Sequence, residues 1–296
     1  MIYQDPLAYL LGLEGVALLD AWAGDYGREF TEARLAEIRR LLDDEKLRDR
    51  AVRVERVSTV TAYQQHSAGY DAAAGGGLFA TDEPVVAEYL SGRVPGVALD
   101  AACGTGRFAE LLAERGHRVI GVDSSPDMLA YARRRVPDGE FHLAELDRLP
   151  LPDDSADVIV CALALVHVPC LEPVLAEFAR VLRSGGDLVI SDVHHELVTR
   201  GSVIKARGPN GEPCIVATYR HRLGDYLRTA LRLGLEVKRC EEPAAIGTGA
   251  PLPVPATEIG DWRYWPWSLL DYLPAAARAA GGHSSLVIWH FRKPAA

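Results

Sequence analysis

Leu99-Asp100-Ala101-Ala102-Cys103-Gly104-Thr105-Gly106-Arg107-Phe108 is the stretch whose reading decides the fold. A short apolar run, Val97-Ala98-Leu99, stops at a carboxylate. A glycine-rich turn follows, and a helical segment, Phe108 to Glu114, begins at once. Glycines at a strand-to-helix turn let the backbone approach a ligand closely, and that ligand then sits at the carboxyl end of the sheet. Gly104-Thr105-Gly106-Arg107-Phe108-Ala109 also satisfies the dinucleotide pattern G-x-G-x-x-A, so NAD(P) has to be weighed. Asp100 argues against it, because a carboxylate beside the turn repels a pyrophosphate. The same carboxylate suits a ligand with an amino group and a sulfonium.

Downstream of this turn, strands and helices alternate. Val119 to Val122 reads as a strand ending at Asp123, and Ser124-Ser125-Pro126 opens a helix with a capping signal. Phe141 to Leu143, Ala156 to Leu163 and Asp187 to Ser191 read as further strands, with a helix at Leu171 to Leu182. This alternation predicts an α/β fold, a mainly parallel seven-stranded sheet with helices on both faces. Asp225 to Leu233 reads as a helix, and Leu235 to Cys240 and Ser284 to Arg292 as the last strands. Residues 244 to 258 read as loop. Asp123 stands where an acid accepts hydrogen bonds from ribose hydroxyls; its plainer role is to cap the following helix.

Upstream the texture differs. Residues 1 to about 60 read as helical, with Leu7, Leu10, Leu11 and Leu18 on one face, then Leu35, Ile38, Leu41 and Leu42 within Thr31 to Leu47. The small residues Ala72 to Gly77 read as a linker. The expected organisation is an N-terminal helical cap or lid with its linker over 1–77, and a ligand-binding domain over 78–296 with an insertion at about 196–275.

The bulk properties restrict the function. The formal net charge of −9 speaks against a nucleic-acid partner, which a basic face would bind. The only basic run is Arg133-Arg134-Arg135, read as a solvated helix end. Five cysteines without a C-x-x-C pair suggest free thiols in a reducing cytoplasm. The longest unbroken apolar run, Val158 to Val166, is too short to span a bilayer, so no membrane partner is expected.

These residues resemble the class I S-adenosylmethionine (SAM)-dependent methyltransferases. Leu99 to Gly106 is similar to that family's first motif, (L/V)-D-x-G-C-G-T-G, with Ala102 in place of its first glycine. Val122-Asp123-Ser124-Ser125-Pro126-Asp127-Met128-Leu129 resembles V-D-x-S-x-x-M-L. Leu149 to Val158 resembles L-P-x-x-D-x-S-F-D-V, with Ala156 replacing Phe. Val181-Leu182-Arg183-Ser184-Gly185-Gly186 resembles V-L-(K/R)-P-G-G. The resemblance implies a Rossmann-like fold, SAM as cofactor and S-adenosylhomocysteine (SAH) as product. It implies that Asp100 and the backbone of Ala102, Cys103, Gly104 and Gly106 hold the methionine end, and that Asp123 binds the ribose. Ser124 and Met128 are then expected to flank the adenine, Glu145 and Leu146 to meet its edge, and Leu163 to lie near the sulfonium. Tyr63 and Tyr70 match a Tyr-x6-Tyr-Asp pattern in which a tyrosine closes over the methionine end; core packing is the alternative.

SAM carries its own activated methyl, so the chain has to align an acceptor and, for an O- or N-acceptor, take a proton. His194 and His195 follow the fifth strand, and His221 precedes a helix; these are the expected bases. His167, after the fourth strand, reads equally as a group one layer back. No metal is expected, because no ligand set is fixed by spacing. Trp262, Tyr264, Trp265 and Trp267 favour an apolar or aromatic small-molecule acceptor, as in secondary metabolism, or anchor their segment to the sheet. The apolar N-terminal helices await burial as a lid or as a homodimer contact. A methyltransferase fold holding SAM without methylating, as in a cyclisation, and an NAD(P)-dependent oxidoreductase are the alternatives.

Overall fold

The structure, a computed structural model, describes residues 2–70, 78–243, 251–281 and 284–295, and the side chains of 66–70 lie outside the described set. The chain divides into two units. One comprises Met1–Val57, Gly201–Val216 and Ala244–His283; the other comprises Ser58–Arg200, Ala217–Pro243 and Ser284–Ala296.

With elements numbered along the whole chain, the first unit holds β1 (Ile2–Gln4), α1 (Pro6–Ala23), α2 (Arg28–Asp43), β2 (Val52–Val57), β8 (Lys205–Arg207), β9 (Pro213–Val216), α10 (Trp267–Tyr272) and α11 (Pro274–Ala280). Helix α1 starts at Asp5, whose carboxylate accepts the Leu7 N–H at 2.9 Å, with Pro6 in the first turn. It stops at Gly24, whose φ of +109° lies in the left-handed region. Its buried residues Pro6, Leu10, Leu13 and Ala17 recur at helical spacing and form one stripe, packed in the unit's core with α10 and α11. Glu14 lies in the same stripe, fully buried, against Arg34 of α2 at 3.0 Å.

The expectation of an all-helical N-terminus is corrected here. β1 and β2 are strands, in a four-stranded sheet of order β1-β2-β9-β8. Val52-Arg-Val-Glu-Arg-Val alternates with the period of a strand, and its parallel partner β9 lies about 160 residues further on. A second correction concerns membrane-spanning length. Among the described residues α1 is long and apolar enough in composition to cross a membrane, with mean hydropathy 1.3. Counting only unbroken apolar runs misses it, because Glu14 and Asp20 interrupt the run.

The second unit holds α3 (Thr59–Tyr70), α4 (Leu78–Tyr89), β3 (Val97–Ala101), α5 (Arg107–Glu114), β4 (Arg118–Asp123), α6 (Pro126–Arg135), β5 (Glu140–Leu143), β6 (Ala156–Ala162), α7 (Leu171–Val181), β7 (Leu182–Val193), α8 (His195–Thr199), α9 (Leu223–Arg232), β10 (Glu236–Glu241) and β11 (Leu286–Arg292). Its sheet has the order β10-β11-β7-β6-β3-β4-β5, with β11 antiparallel to both neighbours and the other pairs parallel. This is the seven-stranded, mainly parallel sheet expected from the sequence.

The strands are apolar on both sides because both faces are covered. Leu99, Ile159 and Ile190 pack with α7 and α9 on one face, while Ala98, Val158 and Val189 pack with α4, α5 and α6 on the other. Strand order reverses at β3, which has β4 on one side and β6 on the other. Ligands of open α/β sheets bind in the crevice at such a point.

Candidate cofactor site

The turn after β3 is tied down by backbone bonds. Cys103 N–H donates to the Val122 carbonyl at 2.9 Å, and Gly106 N–H to the Cys103 carbonyl at 2.8 Å. Asp123 accepts from Gly104 N–H through Oδ2 and from Ser125 N–H through Oδ1, both at 2.8 Å. Ser125, the cap of α6, accepts from Met128 N–H. Asp123 therefore holds the two loops together and also lines the cavity. Gly106, at φ +89°, packs on α6 so closely that an added Cβ would lie 3.1 Å from the Ala132 Cα. Ala102 is itself left-handed, at φ +59°. This is the physical reason for glycine in the motif that Ala102 departs from, and it costs the chain about 1 kcal/mol of strain.

A cavity of ≈ 530 Å³ opens at these carboxyl ends. Ala102 and Gly104 line it from β3, and Asp123, Ser124 and Met128 from β4 and α6. Glu145 and Leu146 line it from the segment after β5, Leu163 from the end of β6, and Tyr63 from α3. Leu163 is also left-handed, at φ +56°, and its N–H donates to the Ser191 carbonyl at 2.7 Å. Asp100, Cys103 and Gly106 are in the turn but not in the lining. Asp100 and Cys103 are buried, and Gly106 rests on α6. The side chain of Tyr70 lies outside the described residues.

The site is acidic. Asp100 is 2% exposed, and its Oδ2 has no hydrogen-bond partner. Burial pushes its carboxyl up to about 7, against the Ala109 N–H that it accepts. Burial also raises Asp123, which a nearby Glu145 raises further. Three carboxylates around one glycine turn fit a ligand that brings a cation and hydroxyl donors, and they disfavour a pyrophosphate.

The histidines separate by geometry. His167 lines the cavity. Its Nδ1 lies 3.1 Å from the Ala217 carbonyl, so Nδ1 carries the hydrogen, and its Nε2 lone pair accepts from Tyr63 Oη at 3.2 Å. Burial lowers its pKa and keeps the ring neutral near pH 7. His194 caps the short helix α8, accepting from Glu196 N–H, and is buried. His195 stands beside it with a pKa lowered by burial. His221 donates from Nε2 to the carbonyls of Leu165 and Val168, so it braces the turn that presents His167. None of these three lines the cavity. Asp192, fully buried, accepts from Tyr226 Oη at 2.6 Å beside the same turn, a pairing without a short-range sequence signal. Among the described residues no group of three or more His, Cys, Asp or Glu is placed to hold a metal ion.

The comparisons agree with this geometry. Residues 99–190 match the family model of a methyltransferase domain. Malonyl-[acyl-carrier protein] O-methyltransferase of Serratia marcescens is 36% identical over 142 residues, 47% of this chain and 53% of that protein. Demethylmenaquinone methyltransferase of Renibacterium salmoninarum is 38% identical over 105 residues, 35% of this chain and 44% of its own length. The chain thus spans about half the length of the curated relatives it matches. An S-adenosylmethionine-dependent methyltransferase from Mesorhizobium loti superposes with a TM-score of 0.51 at 22% identity, over 73% of this chain and 100% of that one. Residues 99–190 thus match a methyltransferase domain, and they lie in a mainly parallel seven-stranded sheet of Rossmann-like fold.

Proposed function

We propose that this chain binds SAM in the cavity of its seven-stranded unit and transfers the methyl group to a small apolar or aromatic acceptor. The observation that carries the reading is the convergence of Ala102, Gly104, Asp123, Ser124, Met128, Glu145, Leu146 and Leu163 on one cavity at the switch point of the sheet. When bound, the cofactor supplies a methyl group already activated on a sulfonium. The chain's own work is to bind, orient and exclude water. The backbone of Ala102 and Gly104, which line the cavity, holds the amino-acid end, with the Asp100 charge behind the turn. Asp123, which lines the cavity, accepts the ribose hydroxyls. Met128 and Ser124 flank the base, and Glu145 accepts at its edge.

His167 takes a role that the sequence offered first to His194, His195 and His221. With Nδ1–H fixed on the Ala217 carbonyl, its Nε2 is the free base of the cavity and receives a proton from an acceptor, directly or through Tyr63. The two relatives are named for different acceptors, so the acceptor does not carry over from them. Five free cysteines fit a reducing cytoplasm.

Calorimetric titration with SAH and with NADPH, on the wild type and on Asp123→Ala and Asp123→Asn, tests the cofactor. Tight SAH binding that weakens at least ~100-fold in both variants, with no NADPH heat, is the expected outcome. NADPH binding, or none of either ligand, would sink the reading. With an acceptor found by screening phenols and other aromatics, His167→Asn is expected to lower kcat by roughly 10²–10⁴ and leave SAH affinity unchanged. An unchanged kcat removes His167 from the chemistry.

A further inference from the structure

The base of the cavity stands on a very short element. Leu165–His167 is a single 3₁₀ turn, closed by His167 N–H on the Ala164 carbonyl and Val168 N–H on the Leu165 carbonyl, both at 3.0 Å. A turn of this length has poor hydrogen-bond geometry and does not hold itself. Leu165 and Val166 are buried, so their carbonyls need protein donors rather than water. The turn finds those donors in one place, the segment 217–221.

Alternate residues of that segment face the turn. The Ala217 carbonyl accepts His167 Nδ1–H at 3.1 Å, and Tyr219 N–H donates to the Val166 carbonyl at 2.8 Å. His221 Nε2 lies 3.1 Å from the Leu165 carbonyl and 2.9 Å from that of Val168. Two carbonyls can only accept, so His221 Nε2 carries its hydrogen and shares it between them. The His221 ring is itself wedged, stacked on Tyr219 at 6.4 Å between centroids and edge-on to Tyr226 at 6.0 Å. Tyr226 is fixed in turn by its hydroxyl on the buried Asp192.

A neutral imidazole carries its hydrogen on either nitrogen, and the hydrogen bond that one nitrogen makes decides the state of the other. For His167 the Ala217 carbonyl makes that choice, leaving Nε2 bare. The choice depends on the turn lying against residue 217. A displacement of about 0.5 Å takes the 3.1 Å contact out of hydrogen-bonding reach.

We propose that His221 is the positioning residue of His167: by clamping the carbonyls of Leu165 and Val168 it holds the turn against Ala217, and so decides which nitrogen of His167 is left bare to take a proton. His221 does not line the cavity, so it acts through His167. The inference rests on His167 being the base of the methyl-transfer site, but its first readout is the ring itself.

The test uses the full chain with ¹⁵N-labelled histidine, and NMR reads which ring nitrogens are protonated. The His167 signals are assigned by their loss in His167→Asn. His221→Phe keeps a ring without the hydrogen, and His221→Gln restores an N–H donor at the reach of Nε2. His221→Asn, whose amide is too short to reach both carbonyls, gives the same reading should the phenylalanine variant not fold. The wild type is expected to show His167 protonated on Nδ1 and bare on Nε2. In His221→Phe the Nδ1–H form should fall below half of the neutral ring, and His221→Gln should recover most of it. SAH affinity should stay within about threefold in every His221 variant. With an acceptor in hand, His221→Phe should lower kcat by roughly tenfold at unchanged KM for SAM, through the wrong tautomer and a misplaced ring. An Nε2–H ring in the wild type, an unchanged tautomer in His221→Phe, or equal losses in the phenylalanine and glutamine variants would overturn the proposal. Absence of SAH binding in the wild type would instead sink the methyl-transfer reading and leave the tautomer result standing.

Discussion

The two units place their buried charges differently. In the seven-stranded unit Asp82 is fully buried, yet Arg107 grips it with two bonds at 2.8 Å and Ser191 adds a third at 3.2 Å. Asp187, equally buried, is surrounded by Arg93, His290 and Arg292. Those networks pair each acid with basic groups, and they join α4 to α5 and β7 to β11. Asp100 in the same unit has an oxygen left over and no basic partner, and Lys205 in the four-stranded unit meets no acid among the described residues. Paired charges hold elements together, while an unpaired one costs stability. The acid lies behind the glycine turn, and the lysine lies over the Trp262 ring.

Breaking a paired network is expected to cost most. Asp82→Ala leaves Arg107 between the Phe79 and Phe108 rings with only the half-exposed Glu83 at 3.4 Å, and should destabilise the protein by about 3 kcal/mol. A urea midpoint reads this directly, and a loss under 1 kcal/mol would erase the contrast. The unpaired charges should respond in the other direction. Asp100 is raised from 3.8 to about 7 in the folded state, so the folded protein binds that proton more tightly than the unfolded chain. Its ionisation therefore costs stability progressively as pH rises from about 4 to 7. Asp100→Asn should stabilise the ligand-free protein by on the order of 3 kcal/mol above pH 7 and by nothing near pH 4. The same substitution should weaken SAH binding.

Lys205 has the mirrored sign. Its amine falls from 10.5 to about 8, so the folding penalty is full below about pH 8 and fades toward pH 10.5. Lys205→Met should gain about 2 kcal/mol at pH 7, with the gain shrinking by pH 10. A loss at pH 7 would make the lysine a structural support. The smallest effect concerns the backbone. Ala102→Gly relieves a left-handed alanine and should stabilise the protein by roughly 0.5–1 kcal/mol, offset partly by the greater freedom of glycine when unfolded. A destabilised variant would show that the Ala102 methyl contributes packing.

What could be read beforehand follows from the range of the interactions. Strands β3, β4 and β6 are short, mostly apolar runs, each next to its own turn signal, and the partners of β3 to β7 lie within the same continuous stretch. The cavity lining from Ala102 to Leu163 was legible for the same reason. The four-stranded sheet was not. Ile2–Gln4 and Lys205–Arg207 have three residues each, and only a distant partner makes them strands. The histidines look alike in sequence. What distinguishes His167 is a carbonyl at Ala217, fifty positions away, that sets its tautomer. Trp262 and Trp265 are buried as anchors, while Tyr264 and Trp267 stay 62% and 52% exposed, a division no local pattern encodes.

The pairing of Val57 with Val216 sets a schedule for the nascent chain. A ribosome adds roughly 5–20 residues per second, so β2 emerges on the order of ten seconds or more before the strand it must pair with. Throughout that interval the apolar stripe of α1 has no access to α10 or α11, which are made later still. Chaperone demand during synthesis should therefore concentrate on the first fifty-seven residues, and slowing translation should lower the soluble yield.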